Sequence, residues 1–142
     1  MGRRDILRRE MPSEQIELVR RVYAATQNRE FETVLSLLDP EVELVVGAGV
    51  SIETGTFQGR EAVGGWFARW FGAFMPGYKL EIEEIRDLGD RVAAAQRHTG
   101  RGRTSEAPVE MLNGSVHWVR AGKVVRIELY SDPEQALNGG ES

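Results

Sequence analysis

VEMLNGSVHWVRAGKVVRIELY, residues 109–130, contains two strand-like runs joined at Ala121-Gly122, and its reading decides the architecture. Before the turn Ser115, His117 and Val119 alternate with Val116 and Trp118. After it Ile127 and Leu129 alternate with Arg126 and Glu128. A period of two broken by a short glycine-containing turn is the pattern of an antiparallel hairpin. The pattern continues upstream through Tyr78–Leu88, a Gly89-Asp90 turn, Arg91–Thr99 and a glycine- and arginine-rich loop at 100–108, so four strands follow one another as a meander. In the first of them the alternation Tyr78, Leu80, Ile82 slips to Ile85 and Leu88, which predicts a bulge near Glu83 or Glu84 that curves the sheet.

Ahead of the meander the period changes. Val63, Trp66, Phe67, Trp70, Phe71 and Phe74 recur at helical spacing between Glu61 and Phe74, and Met75-Pro76-Gly77 ends the helix. Gly47, Gly49 and Gly55 mark a crossing that lacks the strand-to-helix spacing of a phosphate loop. Glu41–Val46 reads as a half-buried strand, with Val42, Leu44 and Val46 on one face. Two helices open the domain. Ser13 caps the first, which carries Ile16, Val19, Val22 and Tyr23; Asn28 caps the second, which carries Phe31, Val34, Leu35 and Leu38 and is stopped by Asp39-Pro40. The order helix, helix, strand, helix and four strands is α+β: a cone-shaped, curved antiparallel sheet with N-terminal helices packed over one face, enclosing a pocket. Residues 1–12 read as a flexible N-terminal tail, 13–137 as a single domain and 138–142 as a flexible C-terminal tail.

A length of 142 residues suits one core, and 41% hydrophobic with 28% charged residues is ordinary globular composition. A net charge of −4, without a basic stripe interleaved with aromatics, argues against a nucleic-acid partner. No apolar run is long enough to span a bilayer, and no apolar segment follows Arg8-Arg9 as a signal peptide requires. The absence of cysteine suits a reducing compartment, so a cytoplasmic location is expected.

Four stretches resemble the SnoaL-like and ketosteroid isomerase-like branch of the nuclear transport factor 2-like superfamily: VYAATQNREF (22–31), LLDPEVEL (37–44), FQGREAVGGWF (57–67) and VHWVRAGKVVRIELYSD (116–132). The resemblance covers residues 13–136 and is carried by the order and spacing of all four. It implies a pocket for a small or polycyclic apolar molecule, a homodimer through the sheet face, and chemistry ranging from isomerisation and polyketide-type cyclisation to dehydration and epoxide opening. It also implies positions for catalytic acids, and this chain departs from them. Val46 stands where the isomerase base is expected, Val22 beside Tyr23 at the oxyanion tyrosine, and Gly114 or Ser115 at the second oxyanion acid. Asn113, Ser115 and Leu129 stand nearest the Asp-Arg-Asp set of the epoxide hydrolases.

The residues themselves leave His98 and His117 as the candidate catalytic groups, because imidazole transfers protons near neutral pH. They form an acid–base pair if the faces of both strands line the cavity; the alternative is a surface histidine and a satisfied core histidine. Two histidines without a third ligand point to no metal, and no cofactor is expected. Tyr23, Gln96, Asn113 and Ser115 are neutral polar groups able to orient a ligand. Trp66, Trp70, Val46, Phe57 and Leu129 complete the expected ligand-binding set, and Glu53 is the acid nearest a pocket mouth if the crossing folds inward. Three functions follow: a cofactor-independent isomerase or cyclase-type enzyme, a noncatalytic small-molecule-binding protein, or a homodimeric interaction module.

Overall fold

Ser13 accepts a hydrogen bond from Ile16 N (3.2 Å) and starts helix α1, Glu14–Gln27. The computed structural model describes residues 13–51, 53–74 and 76–140; the expected tail at 1–12 and residues 141–142 lie outside them. Leu18, Val19, Val22 and Ala25 form the buried stripe of α1. The helix is tied along strand β3 (Lys79–Asp87) at both ends: Ser13 Oγ donates to Asp87 Oδ2 (2.5 Å), and the Gln27 amide donates to Tyr78 O (2.8 Å) while accepting from Leu80 N (2.6 Å).

The elements after α1 run in the expected order, with some boundaries moved and two elements added. Asn28 closes α1, its N–H reaching Ala24 O, and does not cap the second helix; α2, Phe31–Leu37, starts from Glu30 with no side-chain cap, after Arg29 turns the chain at φ 58°. Strand β1, Leu38–Val46, takes in Asp39-Pro40, because Leu38 pairs with Val124 before the register shifts to Glu43↔Arg126. Asp39-Pro40 is therefore a kink within a strand rather than the end of a helix. Strand β2, Gly55–Gln58, was not anticipated: it is four residues long and mostly exposed, so no alternation marks it. Helix α3, Arg60–Gly72, follows Gly59 at φ 92°. After β3 come β4, Arg91–Arg101, β5, Pro108–Arg120, and β6, Lys123–Tyr130. Arg103, in the hairpin between β4 and β5, binds Gly72 O and Phe74 O and satisfies carbonyls left open at the end of α3.

The six strands form one sheet in the order β2-β1-β6-β5-β4-β3, antiparallel except for β1 with β6. The meander is β3 to β6 as read from the sequence, and the β3–β4 register slips between Ile82 and Glu84, where the bulge was expected. On the inner face, Leu44, Ile127, His117 and Val92 form one cross-strand row, and Val46, Leu129, Ser115 and Ala94 form the next. The main core packs α1, α2 and α3 on these rows through Val22, Val34, Val63 and Trp66.

The second unanticipated element is helix α4, Pro133–Leu137, capped by Asp132, which accepts from Glu134 N (3.0 Å). Asp132-Pro133 is a helix start of the usual kind, with a capping carboxylate followed by proline at the first helical position. This helix covers the outer sheet face at Ala93, Ala95 and Val116, the face expected to form a homodimer. Residues 138–140, placed in the sequence reading within the C-terminal tail, fold back: Gly139 N and Gly140 N bind Ala136 O and Gln135 O, and Arg91 binds Gly139 O (2.8 Å). Gly114 makes the docking of α4 possible, since a Cβ there would lie 2.4 Å from Ala136 Cβ and 3.0 Å from Pro133 Cα.

Gly114→Val should therefore lever α4 off the sheet. Urea denaturation is expected to show a loss of about 1–3 kcal/mol, with amide exchange accelerated at residues 133–140 more than in β1. Unchanged stability would show that α4 does not need the space that glycine leaves.

Candidate active or binding cavity

Between the inner face of the sheet and helices α1 and α3 lies a cavity of about 40 Å³ open to the centres of water molecules. That is room for roughly three waters. Its walls are apolar: Val22, Val50, Leu80, Ile127 and Leu129 on one side, Trp66, Phe67, Trp70 and Phe71 of α3 on the other. Trp66 and Trp70 stack at 5.6 Å with 12° between their planes. The polar lining is Tyr23, Thr26, Gln96, His98, Asn113 and His117, and no lining residue is charged among those described.

The β4–β5 register explains this lining. Val92↔His117, Ala94↔Ser115, Gln96↔Asn113 and His98↔Met111 are direct partners, so the alternate residues of both strands share the inner face. His98 and His117 thus both reach the cavity, which meets the condition left open by the alternation. They do not meet: six residues separate each from the other's cross-strand partner, about 20 Å along the strands. The expected acid–base pair is not formed, and the two cannot share a metal ion.

His98 belongs to a directed chain of hydrogen bonds. Its Nε2 faces Asn113 Oδ1 (2.9 Å), an atom that only accepts, so Nε2 carries the proton. The neutral ring then accepts at Nδ1 from the Tyr78 hydroxyl, whose oxygen accepts from Trp70 Nε1 (3.1 Å). Burial lowers the His98 pKa, partly offset by the Asn113 bond, and raises that of Tyr78. With both nitrogens engaged, His98 is a satisfied core histidine, and it orients Asn113.

The second network joins Tyr23, Gln96 and Ser115. Gln96 Nε2 donates to Tyr23 Oη and to Ser115 Oγ (2.5 Å), and the two hydroxyls are hydrogen-bonded to each other (2.5 Å). Burial pushes the Tyr23 phenol up, with its bonds to Ser115 and Gln96 opposing. His117 meets the edge of Tyr23 at 5.5 Å between ring centres; burial pushes its pKa down to about 4, with the Val92 backbone opposing. Its Nδ1 has no hydrogen-bond partner among the described residues.

Of the residues expected to bind a ligand, Tyr23, Trp66, Trp70, Gln96 and Leu129 line the cavity. Val46 and Phe57 pack in the main core instead, beyond Leu129 and Leu44, their respective cross-strand partners. Ser115 sits behind Tyr23 and Gln96, holding both without reaching the space. Glu53 does not turn inward. Its carboxylate pairs with Arg69 on the exposed side of α3 (2.9 Å), while its carbonyl accepts from Trp66 Nε1 (3.1 Å). Thr26, Val50 and Leu80 were missed; Thr26 is polar on an apolar helix stripe, and its hydroxyl is spent on Val22 O (2.6 Å).

The sequence profile of the SnoaL-like domain matches residues 19–127. No functionally curated protein matches the chain. Among solved structures, TerC co-crystallised with polyporic acid is 23% identical, covers 89% of this chain and 100% of its own, and superposes with a TM-score of 0.73. An NTF2-like protein of unknown function from Burkholderia pseudomallei K96243 is 22% identical, with coverage of 89% and 97% and a TM-score of 0.73. A hypothetical protein with a ketosteroid isomerase-like fold from Catenulispora acidiphila DSM 44928, in complex with trimethylamine, is 21% identical, with coverage of 80% and 84% and a TM-score of 0.69. At these identities the likeness is one of fold.

The His117 environment has a pH signature. The unfolded imidazole titrates near 6.5 and the folded one near 4, so between these values the unfolded chain binds more protons. The contribution of His117 to stability is complete above about pH 6.5 and is lost as the pH falls towards 4. Between pH 7 and 4.5 the wild type should lose on the order of 2–3 kcal/mol more than His117→Gln in urea melts. Parallel losses would show that His117 is not held neutral.

Proposed function

The chain belongs to the SnoaL-like domain family and has the nuclear transport factor 2-like α+β fold, and from that premise we propose that it is a small-molecule-binding protein, taking a compact, mainly apolar ligand into the cavity between α3 and the β4–β5 face. The observation that carries this reading is the chemistry of the wall. Its residues are apolar or neutral, its described lining has no carboxylate, and both histidines are held in the neutral form. Such a surface gains by excluding water from an apolar ligand and offers a few oriented polar atoms to position it.

The size of the cavity favours a small ligand. Even a single ring needs the Trp66–Trp70 wall to yield, and a polycyclic skeleton needs it to move far, because about 40 Å³ holds only a few waters. The polyporic acid and trimethylamine found with two proteins of this fold support a small-molecule occupant and do not identify it. No helix among the described residues is long and apolar enough to cross a membrane; a cytoplasmic setting is part of the proposal.

One observation favours a second reading, a cofactor-independent isomerase or cyclase-type enzyme. His117 lines the cavity with an unpartnered Nδ1, and Tyr23 stands beside it with its oxygen accepting from Gln96. A neutral imidazole next to a hydrogen-bonded phenol can take a proton from carbon while the phenol supports the developing negative oxygen.

Two measurements separate the readings. Toluene should change the emission of Trp66 and Trp70 saturably, and Leu129→Phe, which fills the cavity, should abolish the change while leaving the melting curve intact. Cyclopentanone in D2O reports on proton transfer. The binding reading expects no exchange of its α-hydrogens above the buffer rate, whereas exchange lost in His117→Gln would establish the enzyme.

A further inference from the structure

Two amide side chains in the cavity are each held at one end only, and the held ends are opposite in kind. Gln96, 2% exposed, gives both Nε2 protons to Tyr23 Oη and Ser115 Oγ, which leaves its acceptor Oε1 without a partner among the described residues. Asn113, 5% exposed, accepts at Oδ1 from His98 Nε2, and its donor Nδ2 has no partner among the described residues.

Neither amide improves its bonding by turning over. The hydroxyls of Tyr23 and Ser115 bind each other and thereby use one of their two protons, so a reversed Gln96 would receive only one, whereas Nε2 supplies one proton to each oxygen. A reversed Asn113 would force His98 to accept at Nε2 and donate from Nδ1. The Tyr78 oxygen would then receive from both His98 and Trp70, whose indole can only donate, and the Tyr78 proton would be left over. The two networks therefore set the polarity of the two free ends independently.

Gln96 and Asn113 are direct cross-strand partners on the same face, and both line the cavity. Their Cβ atoms are accordingly about 5 Å apart. The buried acceptor of Gln96, left without a partner, is costly, and a ligand that donates to it while accepting from the free Nδ2 of Asn113 relieves that cost.

We propose that the cavity selects a small neutral alcohol or phenol, whose hydroxyl donates to Gln96 Oε1 and accepts from Asn113 Nδ2. The inference rests on the ligand-binding reading above and adds the class of ligand. A hydroxyl answers both atoms from a single oxygen. A ketone answers only Asn113, and a hydrocarbon answers neither. An amine is protonated near neutral pH, has no lone pair for Asn113, and would bring a charge into an apolar space. His98 acts in this site as a positioning residue, since it fixes which end of Asn113 faces the ligand.

The test compares cyclopentanol, cyclopentanone and cyclopentane, which share a ring and differ in what they donate and accept. Binding is followed in ¹H–¹⁵N spectra through the side-chain amide protons of Gln96 and Asn113 and the indole protons of Trp66 and Trp70. Cyclopentanol should bind about tenfold more tightly than either of the others and shift both amide pairs. Gln96→Met and Asn113→Leu should each reduce the affinity for cyclopentanol to that for cyclopentane in the same variant, with retained amide dispersion showing that the variants fold. Cyclopentane or cyclopentanone binding as tightly as cyclopentanol overturns the hydroxyl assignment and leaves the ligand-binding reading intact. So does a preference for cyclopentanol that survives both substitutions. If none of the three shifts the cavity resonances, the ligand-binding reading fails and this inference with it.

Discussion

Strands β4 and β5 pair from Arg91↔Trp118 to Arg101↔Pro108 without a slip, and most of what is distinctive in the molecule depends on that unbroken ladder. Pairing without a bulge keeps every second residue on the same face along the whole length. Val92, Ala94, Gln96 and His98 therefore oppose His117, Ser115, Asn113 and Met111 on the inside, while Ala93, Ala95 and Val116 are offered to the outside. A shift of one residue would exchange the polar cavity lining for the small apolar residues under α4. The slips that do occur, in β3 near Glu83, in β1 after Leu38 and between β5 and β6 at Trp118/Val119, lie outside the β4–β5 ladder and leave its pairing intact.

Small residues mark that centre on both faces. Ala94, buried on the inner face, is the cross-strand partner of Ser115 in the Tyr23–Gln96–Ser115 network. Gly114 leaves room on the outer face for Ala136. The centre of the sheet is consequently covered on both sides, which is why β4 reads as nearly continuous burial rather than clean alternation. The bulky side chains are concentrated in α3, whose aromatics supply the opposite wall of the cavity, and Trp70 links wall to sheet through Tyr78 and His98.

Burying this many polar groups is favourable only when they are paired, because an unmet donor or acceptor in an apolar interior costs more than an average hydrogen bond returns. The two networks meet that condition nearly completely. The buried atoms left without a partner among the described residues, Gln96 Oε1 in the second network and Nδ1 of the neighbouring His117, lie on residues that line the cavity, as does Asn113 with its free Nδ2, so unmet bonding is concentrated where a ligand would sit.

Much of the fold was legible because it is local. The period of two in 109–130, the aromatic spacing of 61–74, the slip from Ile82 to Ile85 and the cap at Ser13 each depend on neighbours in the chain, and each appears as read. β2 was not legible, since it is held by pairing with β1 rather than by its own pattern, and the role of Asp39-Pro40 changed because β6 draws Leu38 into the sheet. The site divided in the same way. Alternation grouped Gln96 with His98 and Ser115 with His117, a local property of strands, and the tertiary structure turned both groups inward. Only the tertiary structure decided that His98 and His117 lie far apart, that Glu53 turns out to Arg69, and that Val46 and Phe57 serve the core. Those outcomes depend on the register between strands and on which helix covers which row, and both are set by contacts between residues remote in sequence, which no local pattern encodes.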